Sequence, residues 1–298
     1  MAKTNKTIFK GIGTALITPM TSTGVDYENL GRLIDFQIDN GVAALIAVGT
    51  TGESATLTTA ERKEVIRFTV EKTAGRVPVI AGTGTNNTEH VLHNTRNACE
   101  VGADAILVVT PYYNKATQKG LIKMFTAIAD ASTKPLILYN VPSRTGVNIK
   151  PETYKELSKI ENIVATKEAS GDISAVAKIA HLCGDDLMIY SGNDDQIVPI
   201  MSLGGIGVIS VLSNVCPKET HDICQYALDG DFKAAAALQV KYLPLIDALF
   251  SDVNPIPVKE AFNIMGYEVG ECRLPLIKMS DSAHEALKAE MAKVGLVK

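Results

Sequence analysis

A short apolar run, a polar or glycine-bearing loop and an amphipathic helix recur about eight times along this chain, a cycle that suits a parallel sheet wrapped by helices. The runs fall at Thr14–Thr18, Ala43–Val48, Val77–Ala81, Ala105–Val109, Leu136–Tyr139, Ile163–Thr166, Leu187–Tyr190 and Gly207–Val211. They are continuously apolar rather than alternating, as strands covered on both faces must be. Eight such units close into a (β/α)8 TIM barrel, a domain of about 250 residues. With 298 residues, 46% of them apolar, the chain can bury that core and still leave a tail. The reading is therefore α/β: a catalytic barrel over 1–230 and a helical C-terminal extension over 231–298. An open doubly wound sheet is the alternative, but no Gly-x-Gly-x-x-Gly opens the first helix.

Between the runs the apolar period becomes helical, as at Leu30, Leu33, Ile34 and Ile38 behind a plausible N-cap at Asp26. Gly41 ends that segment. Thr58 and Glu61 have capping-box spacing before Val65, Ile66 and Thr69, and Gly75 closes the helix they begin. Beyond residue 230 the sequence reads as helices around Ala234–Ala237 and Ser280–Val294, with a proline-punctuated stretch at Asn254–Pro257 between them.

Several function classes are disfavoured. A formal charge of −4 and a pI near 5.8 supply no basic stripe for nucleic acid or for an anionic membrane. The five cysteines, Cys99, Cys183, Cys216, Cys224 and Cys272, are scattered without Cys-x-x-Cys or metal-ligand spacing, which fits a reducing, cytoplasmic setting. Lys3, Lys6 and Lys10 precede a stretch too rich in glycine and threonine for a signal-peptide core. The uncharged stretch from Gln196 to Pro217 is broken by Pro199, Gly204, Gly205 and Gly207, so a helix end, a turn and a buried strand explain it better than a membrane span.

In a barrel of this kind the chemistry gathers where strands end. The run-closing residues are Thr18, Gly49-Thr-Thr-Gly-Glu53, Thr110-Pro-Tyr-Tyr113, Tyr139-Asn140, Lys167-Glu168, Ser191-Gly-Asn193 and Ser210. All five histidines lie elsewhere, on helices or beside them, which counts against serine triads and metal hydrolases. His90 and His93 share a helix face but lack a third ligand and suit a solvated surface. Lys167 closes a buried run, where loss of water would favour the neutral, nucleophilic amine. Position alone equally allows a strand-end lysine reaching solvent or pairing with Glu168. Tyr139 can relay a proton or be an ordinary rim aromatic. The turn at Gly49-Thr-Thr-Gly offers N–H groups and hydroxyls to a carboxylate, as many such loops do. Arg144, in Val141-Pro-Ser-Arg-Thr-Gly, suits bidentate carboxylate capture or a plain surface position.

Taken together, Gly49-Thr-Thr-Gly-Glu-Ser, Pro111-Tyr-Tyr-Asn, Tyr139-Asn-Val-Pro-Ser-Arg-Thr-Gly, Lys167-Glu-Ala, Ser191-Gly-Asn-Asp and Gly207-Val-Ile-Ser-Val closely resemble the dihydrodipicolinate synthase family, within the pyruvate-dependent class I aldolases. The likeness continues through Asn254-Pro-Ile-Pro-Val-Lys and Arg273-Leu-Pro-Leu and covers nearly the whole chain. It implies a lyase that condenses pyruvate with L-aspartate 4-semialdehyde through a Schiff base on Lys167, without cofactor or metal. By the same resemblance Tyr139 donates and accepts the proton, and Thr50 and Tyr113 complete a relay, with Tyr113 supplied by a neighbouring subunit. Thr51, Gly192 and Ile209 would line the pyruvate site, and Arg144 would bind the semialdehyde carboxylate. A homotetramer built from two tight dimers is the implied assembly. Asn193 departs from the aspartate many relatives carry, with little mechanistic consequence expected.

N-acetylneuraminate lyases and keto-sugar-acid aldolases share the lysine and the tyrosine, and Arg144 separates this chain from them. A non-catalytic barrel is disfavoured by the complete set Lys167, Tyr139, Thr50 and Tyr113. In lysine-inhibited relatives the effector site resembles Ser54, Ala55, Thr59, Arg62, Asn86, His90 and Tyr112 here. His90 supplies no negative charge and Arg62 adds a cation, so weak or absent inhibition by lysine is expected.

Overall fold

The computed structural model describes residues 7–298; Lys3 and Lys6 lie outside the described residues. Among the described residues eight parallel strands close into a barrel in chain order: β1 (Gly11–Ala15), β2 (Ala44–Ala47), β3 (Val79–Gly82), β4 (Ala105–Val109), β5 (Leu136–Asn140), β6 (Ile163–Glu168), β7 (Met188–Ser191) and β8 (Gly207–Ser210). The helices around it are α1 (Tyr27–Asp39), α2 (Thr59–Thr73), α3 (Thr88–Glu100), α4 (Gln118–Ala131), the single turn α5 (Pro142–Thr145), α6 (Pro151–Leu157), α7 (Ile173–Cys183), α8 (Ile197–Ser202) and α9 (Pro217–Leu228). Beyond them come α10 (Phe232–Leu249), α11 (Ile256–Ile264) and α12 (Asp281–Lys293).

The expected helix signals act as read. Asp26 accepts from the Asn29 N–H, and Thr58 and Glu61 form a reciprocal capping box at α2. Gln196 to Pro217 resolves into α8, a glycine turn and β8, and among the described residues no helix is long and apolar enough to cross a membrane. The first strand differs from expectation, starting at Gly11 rather than Thr14. Phe9 is the reason: its ring stacks on Tyr190 at 4.3 Å in the barrel floor. A Cβ on Gly13 would lie 2.7 Å from that ring, so glycine is what lets the strand run past it.

Alternation along each strand sorts two cores. Ala15, Ile46, Leu107, Ile137, Ala165 and Ile209 fill the lumen. Ile12, Leu45, Ile106, Leu138 and Val208 face the helices. A third cluster joins Ile17 and Leu33 of the barrel to Tyr242, Leu249, Phe262 and Leu287, seating α10, α11 and α12 on its wall. Arg273 adds a charged tie to α2, with Nη1 2.9 Å and Nη2 2.5 Å from the two Glu61 oxygens.

That tie makes acid stability testable. The Arg273 hydrogen bond, helped by the Thr58 cap, holds the Glu61 carboxyl at about 2 against an ordinary 4.5, although burial opposes it. A lowered folded-state pKa gives stability that is present above 4.5 and is lost as pH falls through about 2. Glu61→Gln should therefore be less stable at neutral pH, and its denaturation midpoint should fall less between those two values. Equal pH slopes for the two proteins in urea titrations would show that the pair contributes nothing.

Candidate active site

β5 and β6 pair with Tyr139 opposite Lys167 and Asn140 opposite Glu168. Since neighbours on a strand face opposite ways, the first pair enters the lumen and the second faces the helices. Lys167 is 5% exposed, and its Nζ lies 4.4 Å from the centroid of the Tyr139 ring. Glu168 is not its partner. That carboxylate accepts from Asn140 Nδ2 at 3.1 and 3.2 Å, the Tyr154 hydroxyl at 2.9 Å and the Ser170 N–H at 2.8 Å. Burial, with the Glu168 charge beside it, pushes the Tyr154 phenol well up, so it stays a donor. The network pins the outer face of β6 and leaves the lysine to the inner one.

Gly192, after β7, donates its N–H to the Glu168 carbonyl at 2.7 Å. A Cβ there would lie 2.7 Å from Ala169 Cβ and 3.1 Å from Lys167 Cγ, so only glycine lets this backbone close on the lysine stem. Ile209 is fully buried in the lumen on β8.

Thr50 and Thr51 sit in the turn after β2, between two non-glycine residues with left-handed backbone, Val48 at φ 57° and Glu53 at φ 56°. Each such position costs about 1–3 kcal/mol, more than the roughly 0–1 kcal/mol of a surface ion pair, so buried contacts must hold the turn. Thr18 Oγ1 donates to the Gly52 carbonyl at 2.8 Å, and Asn254 Nδ2 donates to Thr51 Oγ1 at 3.0 Å. Glu53, buried, meets Lys259 Nζ at 2.8 Å and the Arg273 N–H at 2.8 Å.

Above the strand ends lies a cavity of about 290 Å³, lined among others by Thr50, Tyr112, Val141, Arg144, Asn254 and Leu276. Its wall includes Val109, which pairs with Tyr139 across the sheet. Arg144 is exposed on α5, a turn that Pro142 opens. Tyr113 points elsewhere: it is 89% exposed, with φ 74°. The structure thus gathers Lys167, Tyr139, Gly192 and Ile209 around the upper lumen, puts Thr50 and Arg144 on the cavity, buries Thr51 in the turn after β2 beside Asn254, and holds Tyr113 outside the cavity lining.

Sequence reading missed three residues that brace these groups. Asn254 comes from the connection between α10 and α11, and Lys259 from α11 itself. Asp194, 2% exposed, accepts from the Val211 and Leu212 N–H groups at 3.0 and 2.9 Å, and burial raises its carboxyl pKa. A signal was present for Lys259, a charged side chain set in the largely apolar stretch Ile256-Pro-Val-Lys-Glu-Ala-Phe262, whereas Asn254 and Asp194 lie in the polar stretches Ser251-Asp-Val-Asn254 and Ser191-Gly-Asn-Asp-Asp-Gln196 and do not stand out. Among the described residues no group of three or more His, Cys, Asp or Glu is placed to hold a metal ion.

The sequence pattern of the Dihydrodipicolinate synthetase family matches residues 8–294. The chain is 58% identical over 290 residues to the 4-hydroxy-tetrahydrodipicolinate synthase of Caldicellulosiruptor saccharolyticus, covering 97% of this chain and 98% of that one. It is also 58% identical over 292 residues to the enzyme of the same name from Lachnoclostridium phytofermentans, covering 97% and 99%. Among solved structures, dihydrodipicolinate synthase from Aquifex aeolicus superposes with a TM-score of 0.95 at 46% identity, covering 97% of this chain and 99% of that one.

The packing on the lysine stem can be tested directly. Gly192→Ala should cost about 1–3 kcal/mol of stability through overpacking and should slow the reaction of Lys167 with a carbonyl compound. Urea unfolding and the rate of lysine modification, read by mass spectrometry, check both. Unchanged stability together with unchanged reactivity would contradict the contact.

Proposed function

The chain belongs to the dihydrodipicolinate synthetase family, and on that premise we propose that Lys167 carries pyruvate as an imine. The reaction is the lyase-type condensation of pyruvate with L-aspartate 4-semialdehyde to 4-hydroxy-tetrahydrodipicolinate, in lysine and diaminopimelate biosynthesis. The observation that carries the residue assignment is the buried Lys167 amine beside the Tyr139 ring at the mouth of the barrel.

The neutral amine adds to C2 of pyruvate, Tyr139 passes a proton to the departing oxygen, and water leaves to give the imine. Loss of a C3 proton yields the enamine, whose C3 forms the new bond to the aldehyde carbon. The amine of the semialdehyde then adds to C2 and expels the lysine nitrogen, closing the ring and freeing Lys167. Thr51, Gly192 and Ile209 hold pyruvate, and the planar guanidinium of Arg144 pairs with the semialdehyde carboxylate. Thr50 and Tyr113 relay protons. Tyr113 serves a neighbouring subunit, a role its exposure and outward position support, and the assembly is a homotetramer of two tight dimers in the cytoplasm.

Residues 1–230 form the catalytic unit and 231–298 its helical extension. Lysine inhibits weakly or not at all, because at the positions that resemble the effector site His90 supplies no negative charge and Arg62 is itself a cation, its Nη2 on the Ser54 carbonyl and its Nε 3.4 Å from the Leu57 carbonyl.

Borohydride added with pyruvate should reduce the imine and leave a stable adduct on Lys167, located by peptide mass spectrometry. An active enzyme with no adduct, or with the adduct on another lysine, would refute the assignment.

A further inference from the structure

The turn that carries Thr50 and Thr51 is held by residues more than two hundred positions away. Lys259, 2% exposed on α11, places its ammonium 2.8 Å from Glu53 Oε1 and 2.7 Å from the Glu271 carbonyl. The other Glu53 oxygen takes the Arg273 N–H at 2.8 Å. Both charges are withdrawn from water, and a buried ion pair is seldom the most stable way to fill such a space. What it provides is direction: two charged groups with fixed hydrogen-bond partners define one placement of α11 against the turn. α11 begins just after Asn254, and the first-turn bond from the Lys259 N–H to the Pro255 carbonyl, 3.0 Å, couples the lysine to that end of the helix. Asn254 in turn donates to Thr51 Oγ1 at 3.0 Å. With a lone pair so engaged, the Thr51 hydroxyl has its own proton to give.

We propose that Glu53 and Lys259 are positioning residues for the pyruvate half of the reaction: their ion pair sets α11 on the turn so that Asn254 orients the Thr51 hydroxyl toward the carboxylate of pyruvate. The inference rests on the assignment of Thr51 to the pyruvate site. Arg144 stands on α5 and shares a cavity wall with Asn254 but makes no bond in this set, so its own contact with the semialdehyde carboxylate lies outside the coupling.

The test is steady-state kinetics on Glu53→Gln, Lys259→Met and the double variant. In a ping-pong reaction each kcat/KM reports its own half-reaction, so kcat/KM for pyruvate should fall by about tenfold or more while that for the semialdehyde stays within about twofold. The single variants strand a buried partner and can lose the fold, whereas the double variant leaves no unpaired charge and should show the same split in a protein with unchanged circular dichroism. A folded variant whose pyruvate constant is unchanged, or whose two constants fall in parallel, overturns the proposal. Borohydride trapping of the parent protein separates the two levels: a parent labelled at Lys167 with no split in the variants rejects this inference alone, and an active parent left unlabelled rejects the reading beneath it.

Discussion

The parallel pairing of β5 with β6 sets Tyr139 beside Lys167, and the arrangement at the barrel mouth follows from it. A one-residue slip of either strand would turn its inward side chains toward the helices. The register is fixed from the outer side, where Glu168 joins β6 to Asn140 of β5 and to Tyr154 of α6, and Thr166 donates to the same tyrosine at 3.2 Å. A lysine and a glutamate adjacent in sequence therefore have separate tasks. The glutamate is saturated with donors and holds the strand, and the lysine keeps its amine for the lumen.

Around that pair the molecule accepts local strain and crowding. Val48 and Glu53 adopt left-handed backbone on either side of the two threonines, and Gly192 presses against the lysine stem. Such features persist where neighbours leave no easier arrangement. Here the neighbours include α11 and the segment at Arg273, so the helices beyond the eighth strand complete the mouth as well as lengthening the chain. The C-terminal cluster shares Ile17 and Leu33 with the barrel, which gives this bracing an apolar base.

The eightfold cycle, the strand ends and the cap of α2 were legible because each rests on local pattern: continuous apolar runs, a change of period, a threonine three residues before a glutamate. Lys167 and Tyr139 were legible as strand-closing residues, but not whether Lys167 paired with Glu168. That answer needed Tyr154, which approaches from a different helix. The start of β1 was placed at Thr14 because Gly11 and Gly13 lie outside the continuous apolar run, and the packing of Phe9 on Tyr190 explains why the strand passes through them. Asn254 and Lys259 were quoted only for their resemblance, since contacts over two hundred residues of separation leave no periodic trace. Lys259 did leave a compositional one, as a charge inside an apolar helix.

The central claim is that Lys167 forms a covalent imine with pyruvate at the end of β6. A crystal structure of the protein with pyruvate tests it most directly. The account predicts continuous density from Lys167 Nζ to C2 of the ligand, with the ligand carboxylate on the Thr50–Thr51 turn. Pyruvate bound without a link to Lys167, or linked to any other lysine, would contradict it.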